Sequence, residues 1–183
     1  MGPIKKIKLK FGNYTLKRKL KSFKRTVEVK NLHDAESIGI LFDQVDDESF
    51  IEIKAFLNYL AEKRIQVFAL GFIHHKKIPE KFLMRKGFNF FCMNDLNWNL
   101  TPKAEIADQF INKKFDILID ISEENCFPVK YIGSLSKAVF KVGRNFTNKE
   151  HLDLVINTNE QGELTPFIEN MKHYLGKINH HQE

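Results

Sequence analysis

The chain is poor in the residues that staple, hinge or span. Among its 183 residues are two cysteines, five prolines, nine glycines and one tryptophan. Cys92 and Cys126 lie far apart and no CxxC spacing occurs, which excludes a disulfide framework and the paired-cysteine zinc motifs. Both are expected as reduced, buried thiols of a cytoplasmic protein. The scarcity of Pro and Gly excludes collagen-like and low-complexity chains. No apolar run approaches the ~20 residues of a membrane span. The N-terminus has charge but neither an apolar h-region nor a small-residue cleavage site, so a secretory signal is not expected.

Acidic residues are almost missing from one place. Residues 1–30 hold eleven Lys and Arg against Glu28 alone, a net of +10. The whole chain is +6, so residues 31–183 sum to −4. The sequence therefore reads as a basic arm on a mildly acidic body. A body of roughly 150 residues is long enough to bury a full core without disulfides or metals.

In that body, short apolar runs alternate with helical patterns. Strands are expected at 37–43, 65–73, 88–93, 115–121, 138–143 and 152–158. Helices are expected at 49–64, 79–86 with Gly87 as C-cap, 102–115 opened by Thr101 and Pro102, 129–136, and from Thr165 and Pro166 onward. Strands apolar on both faces, alternating with helices, predict a parallel sheet covered on both sides. The fold class is α/β, a single doubly wound, mainly parallel six-stranded sheet (Rossmann-like) over residues 31–178. A basic, partly helical arm (1–30) precedes it and a frayed tail (179–183) follows.

The stretch FDILIDISEENCFPVKYIGSLSKAVFKVGR (115–144) resembles the first domain of heptosyltransferase-type glycosyltransferases. There a strand of the form F-D-L-V-I-D leads to a helix, a small-residue turn and a strand ending in a basic-Gly motif. The resemblance implies a Rossmann-like domain; those enzymes bind sugar nucleotide mainly in a second one. Their Gly-Asp loop after the first strand is replaced here by FDQVDDES. With SIGILFD early and VFKVGR late, the whole chain also resembles a family of small bacterial proteins of unknown function, which implies the fold and no activity.

In open parallel sheets ligands sit beyond the carboxyl ends of the strands, where strand order reverses. The first and fourth strands are expected to flank that crevice, bringing Asp43, Asp46 and Asp47 near Asp120, Glu123 and Glu124. Paired carboxylates there suit general acid–base work or Mg²⁺. Equally, they suit helix caps and turns, and this is the expectation kept, with Asp43 and Asp120 the weak catalytic candidates. The first strand-to-helix turn has no glycine and four acids, against a nucleotide phosphate; no cofactor is expected. Adjacent His74 and His75 point opposite ways on an extended chain, and no HxxxH spacing occurs; no metal is expected. Trp98, in the loop DLNWNL, is either a partner-binding anchor or a cover for the end of the sheet.

The arm carries the functional expectation. Leu16, Leu20, Phe23 and Val27, spaced 4-3-4, predict a helix of about thirteen residues with one apolar stripe. The preceding IKKIKLKF alternates basic and apolar residues and reads as extended or disordered. Lys5, Lys6, Lys8, Lys10, Lys17, Arg18, Lys19, Lys21, Lys24 and Arg25 suit phosphates, and the arm's aromatics suit bases. The leading expectation is a non-catalytic protein docking on structured RNA, ribosomal RNA foremost, with the acidic body facing a protein partner or solvent. Three alternatives stand beside it. One is a one-domain glycosyltransferase-like enzyme using Asp43 and Asp120. Another is a peripheral membrane or protein-complex subunit held by a basic amphipathic helix. The third is an ordinary first helix packed on the body. Deletion of residues 1–30 is expected to leave the body intact.

Overall fold

The computed structural model describes residues 2–43, 46–122, 126–144, 151–157 and 163–178. The uniformly apolar runs are strands: β1 (Ser37–Asp43), β2 (Gln66–Ile73), β3 (Phe88–Cys92), β4 (Ile117–Asp120), β5 (Phe140–Arg144) and β6 (Leu154–Ile156). They form one sheet in the order β3-β2-β1-β4-β5-β6 with every pairing parallel. The order reverses between β1 and β4, where Leu41 sits beside Asp120.

Side chains alternate across this sheet, and both faces are dry. Ile38, Ile40, Phe42, Ile117 and Ile119 face Ile53, Phe56 and Leu60 of α2 (Asp47–Glu62) and Phe167, Met171 and Leu175 of α6 (Leu164–Lys177). On the other side Leu41, Leu70, Phe91 and Leu118 meet Ala107 and Phe110 of α4 (Glu105–Asn112) and Val129 and Ile132 of α5 (Phe127–Leu135). Each fully buried Leu, Ile or Phe contributes about 1.5–3 kcal/mol, so the two layers hold the sheet rigid beneath its strand ends. A one-turn helix, α3 (Glu80–Leu83), packs Phe82 against Ile73, Phe90 and Cys92 at the ends of β2 and β3.

The arm departs from its expected form. Residues Pro3–Leu20 make one helix, α1, so IKKIKLKF is helical rather than extended. The helix stops at Leu20, and Phe23 and Val27 lie beyond it; the 4-3-4 stripe is not a helix face. Basic and apolar residues alternate in IKKIKLKF because α1 has two apolar sides. Leu9, Gly12 and Leu16 pack on Phe127, Tyr131 and Leu135 of α5. At about 100° per residue, Ile4, Ile7, Phe11 and Tyr14 fall on the opposite side and are exposed. The arm is thus an outer layer on α5, and its removal uncovers apolar surface.

Two helix starts also differ. Thr101 does not cap α4, because its hydroxyl donates to Asn99 Oδ1 (2.8 Å) and accepts from Asn97 Nδ2 (3.0 Å); Ala104 stands at the cap position. The helix at 79–86 shrinks to α3, and Gly87, with φ of 86°, forms the turn into β3 instead of a C-cap. The tail 179–183 lies outside the described residues, as do Glu123 and Glu124.

Candidate functional site

Strand ends at the reversal point collect polar groups that the rest of the sheet excludes. Asp43 closes β1, Asp120 closes β4, His74 follows β2 directly, and Cys126 immediately precedes α5. Asp43 and Cys126 are buried. The His74 side chain retains 47% of its exposure and sets Nε2 3.3 Å from Asp43 Oδ2. Its ring meets the edge of Phe72 at 4.8 Å between centroids, which fixes its direction. One donor atom from each of Asp43, His74 and Cys126 lies within 4.8 Å of the others. Burial pushes the Cys126 thiol well above its ordinary range, and the Asp43 carboxylate adds to this.

A second pair lies on the β4 side. Asp120 is fully buried and accepts from Ser122 N (3.0 Å) and Ser122 Oγ (2.5 Å). His151 Nε2 stands 3.2 Å from Asp120 Oδ2. The imidazole sits this close to α5 because residue 133 is glycine; a Cβ there would come within 2.8 Å of Nε2. Two carboxylate–imidazole pairs therefore flank the point of strand reversal, one from each half of the sheet.

The acids expected as caps divide into two kinds. Asp46 caps α2, accepting from Ser49 N at 2.7 Å, and that bond holds its carboxyl below the usual range. Asp47 pairs with Arg85 at 2.9 Å, a bond that lowers its carboxyl too. Asp43 and Asp120 cap neither α2 nor α5, whose cap positions are Asp46 and Cys126. They face inward to histidines, which spacing along the chain does not reveal. A crevice lined this way suits cations and proton transfer and repels phosphate.

The arm residues separate likewise. Lys5, Lys6, Lys10, Lys17, Arg18, Lys19, Lys21 and Lys24 are exposed and Lys8 is half-buried. α1 carries seven basic residues and no acid. Around the helix, Lys8 and Lys19 border the outer apolar stripe on one side and Lys6, Lys10 and Lys17 on the other. Trp98 retains 62% of its exposure and joins that stripe through Phe11, ring centroids 5.1 Å apart. It is an exposed aromatic beside the helix, not a cover for the sheet.

Arg25 has another task. Its Nη1 donates to Val139 O (3.0 Å) and Ala138 O (3.3 Å), and its Nη2 to the Asp153 carboxylate. Beside it, Lys141 projects from β5 into the protein, only 1% exposed, and donates to Gly133 O (2.8 Å) and Ser134 O (3.2 Å) near the end of α5. The Phe23 ring closes over its Nζ at 5.6 Å. Burial brings the Lys141 ammonium down from 10.5 to about 7, with Arg25 pushing the same way and Asp153 opposing. Sequence reading missed Lys141, whose one signal was a charge inside an otherwise apolar strand.

A family model described as a family of unknown function (DUF6913) matches residues 8–178. No curated protein and no solved structure matches the chain. Among the described residues no helix is long and apolar enough to cross a membrane.

Proposed function

We propose that this chain, which belongs to that family of unknown function, is an RNA-binding protein that docks on structured RNA, ribosomal RNA foremost, through the outer face of α1. The observation that carries the reading is the charge of α1: seven cations, no acid, and aromatic side chains left exposed between them. A solvated helix ordinarily mixes signs, since i,i+4 pairs of opposite charge stabilise it. Ammonium and guanidinium groups neutralise phosphates, while Phe11, Tyr14 and Trp98 offer rings on which unpaired bases stack. Arg25 is no part of this surface, being spent on Asp153 and two carbonyls. The free thiols Cys92 and Cys126 suit a reducing compartment, and the proposal places the protein in the cytoplasm.

With ~5 phosphate contacts, log affinity should fall against log salt with a slope of about −3.5 to −4.5. Reversing three exposed charges (Lys6→Glu, Lys10→Glu, Lys17→Glu) should flatten the slope and release the protein from ribosomes in a sucrose gradient. Trp98→Ala should weaken binding to a single-stranded loop by roughly 1–3 kcal/mol. A salt-independent affinity would refute the reading.

The stripe Ile4, Ile7, Phe11 and Tyr14 supports a second reading, an anionic lipid surface, because two exposed isoleucines gain nothing from phosphate. Ile4→Ser with Ile7→Ser separates the two. It should spare RNA binding, and loss of cellular association with RNA binding intact would assign α1 to the membrane.

A further inference from the structure

We propose that Asp43, His74 and Cys126 bind one zinc-class divalent ion, held by three protein ligands with a fourth position facing the crevice. The three residues come from three separate segments, the end of β1, the end of β2 and the start of α5, yet their donor atoms lie within 4.8 Å of one another. Bonds of about 2.0–2.3 Å in a tetrahedral site put ligand atoms about 3.3–3.8 Å apart. Asp43 and His74 already stand at 3.3 Å, so closure asks for a shift of about 1 Å by the remaining donor. Asp43 is buried at the end of β1, Cys126 is buried just ahead of α5, and His74 is half-exposed beside Phe72.

Donor chemistry chooses the ion. One thiolate, one imidazole and one carboxylate form a borderline-soft set that suits Zn²⁺ or Co²⁺ and not Mg²⁺, which takes oxygen in octahedral geometry. Binding replaces the thiol proton, which leaves to solvent, and no electron is transferred. Three protein ligands leave room for water, the arrangement found where zinc acts on a substrate rather than holding a fold. The surrounding charge agrees: the Asp43 and Asp120 carboxylates both push the Cys126 thiol upward, and a divalent cation relieves carboxylates gathered at one place. Neither cysteine spacing nor histidine spacing announces such a site, because each segment supplies a single ligand.

The test is a Co²⁺ titration of the full-length protein after treatment with chelator. We expect one ion per chain, a cysteine-to-cobalt charge-transfer band in the near ultraviolet, visible bands of tetrahedral intensity, and displacement by Zn²⁺ but not by Mg²⁺. Cys126→Ser should abolish the charge-transfer band. His74→Ala, at a half-exposed position where the fold is under little threat, should weaken binding by more than the roughly 10–100-fold that a merely supporting partner costs. His75→Ala should change nothing, since that neighbour is outside the cluster. Absence of the charge-transfer band from folded wild-type protein would overturn the proposal. So would a band that survives Cys126→Ser, or binding unchanged in folded His74→Ala, either of which would put the ion elsewhere.

Discussion

Lys141→Met is expected to stabilise the protein below pH 7 and destabilise it above about pH 10, a reversal of sign within one variant. In the folded state the Lys141 ammonium titrates at about 7, against 10.5 for an ordinary lysine. Between those values the unfolded chain holds a proton that the folded chain lacks, so stability rises with pH across that window. The whole interval corresponds to roughly 4–5 kcal/mol. Below pH 7 both states are protonated and the full cost of burying the charge is present. Methionine removes that cost but leaves Gly133 O and Ser134 O without the Lys141 donor, at about 1–3 kcal/mol. The net gain at acid pH is therefore roughly 1–4 kcal/mol, and above pH 10 only the loss remains. Urea unfolding at about pH 6 and about pH 10.5 decides it. If wild type and variant respond to pH in parallel, Lys141 is not the group that carries the dependence.

Gly12→Leu should detach α1. A Cβ at residue 12 would lie 2.4 Å from Asn99 O and 2.7 Å from the Phe127 ring, and the carbonyl cannot rotate away as a side-chain end would. The cost is the burial of Leu16 and the tight fit around it, roughly 2–4 kcal/mol. Trp98 is the single tryptophan of the chain and touches Phe11, so its fluorescence reports undocking directly. Proteolysis within residues 21–30 should accelerate at the same time. Gly176 is the control: nothing lies within 4 Å of its would-be Cβ, and alanine there should stabilise α6 by about 0.5–1 kcal/mol. An unchanged Trp98 spectrum in Gly12→Leu would show that α1 does not depend on this contact.

The sheet was legible because each strand is apolar throughout, and burial on both faces leaves no other reading for SIGILFD or FDILIDI. The crevice was legible in position, since Asp43 and Asp120 end the strands flanking the reversal. Its chemistry was not, because His74 and His151 reach those acids from 31 residues away in each case. In α1 two apolar sides on opposite faces obscured the helical period, and Leu16 to Val27 kept that period past the point where the helix ends. Thr101–Pro102 had the letters of a helix start, but two asparagines nearby offered Thr101 better partners. Local patterns fixed the elements; contacts between distant segments decided the site.

The seat of α1 also sets an order of events during synthesis. Leu16 waits for Phe127 and Tyr131, and Arg25 waits for Val139 and Asp153. At about 5–20 residues per second, the more than one hundred residues between them take on the order of ten seconds to appear. Throughout that interval a nascent chain presents Leu9, Leu16 and Phe23 uncovered amid a dense positive charge, within reach of the ribosome's own RNA. Slower translation of the segment before α5 lengthens this exposure, and faster translation shortens it.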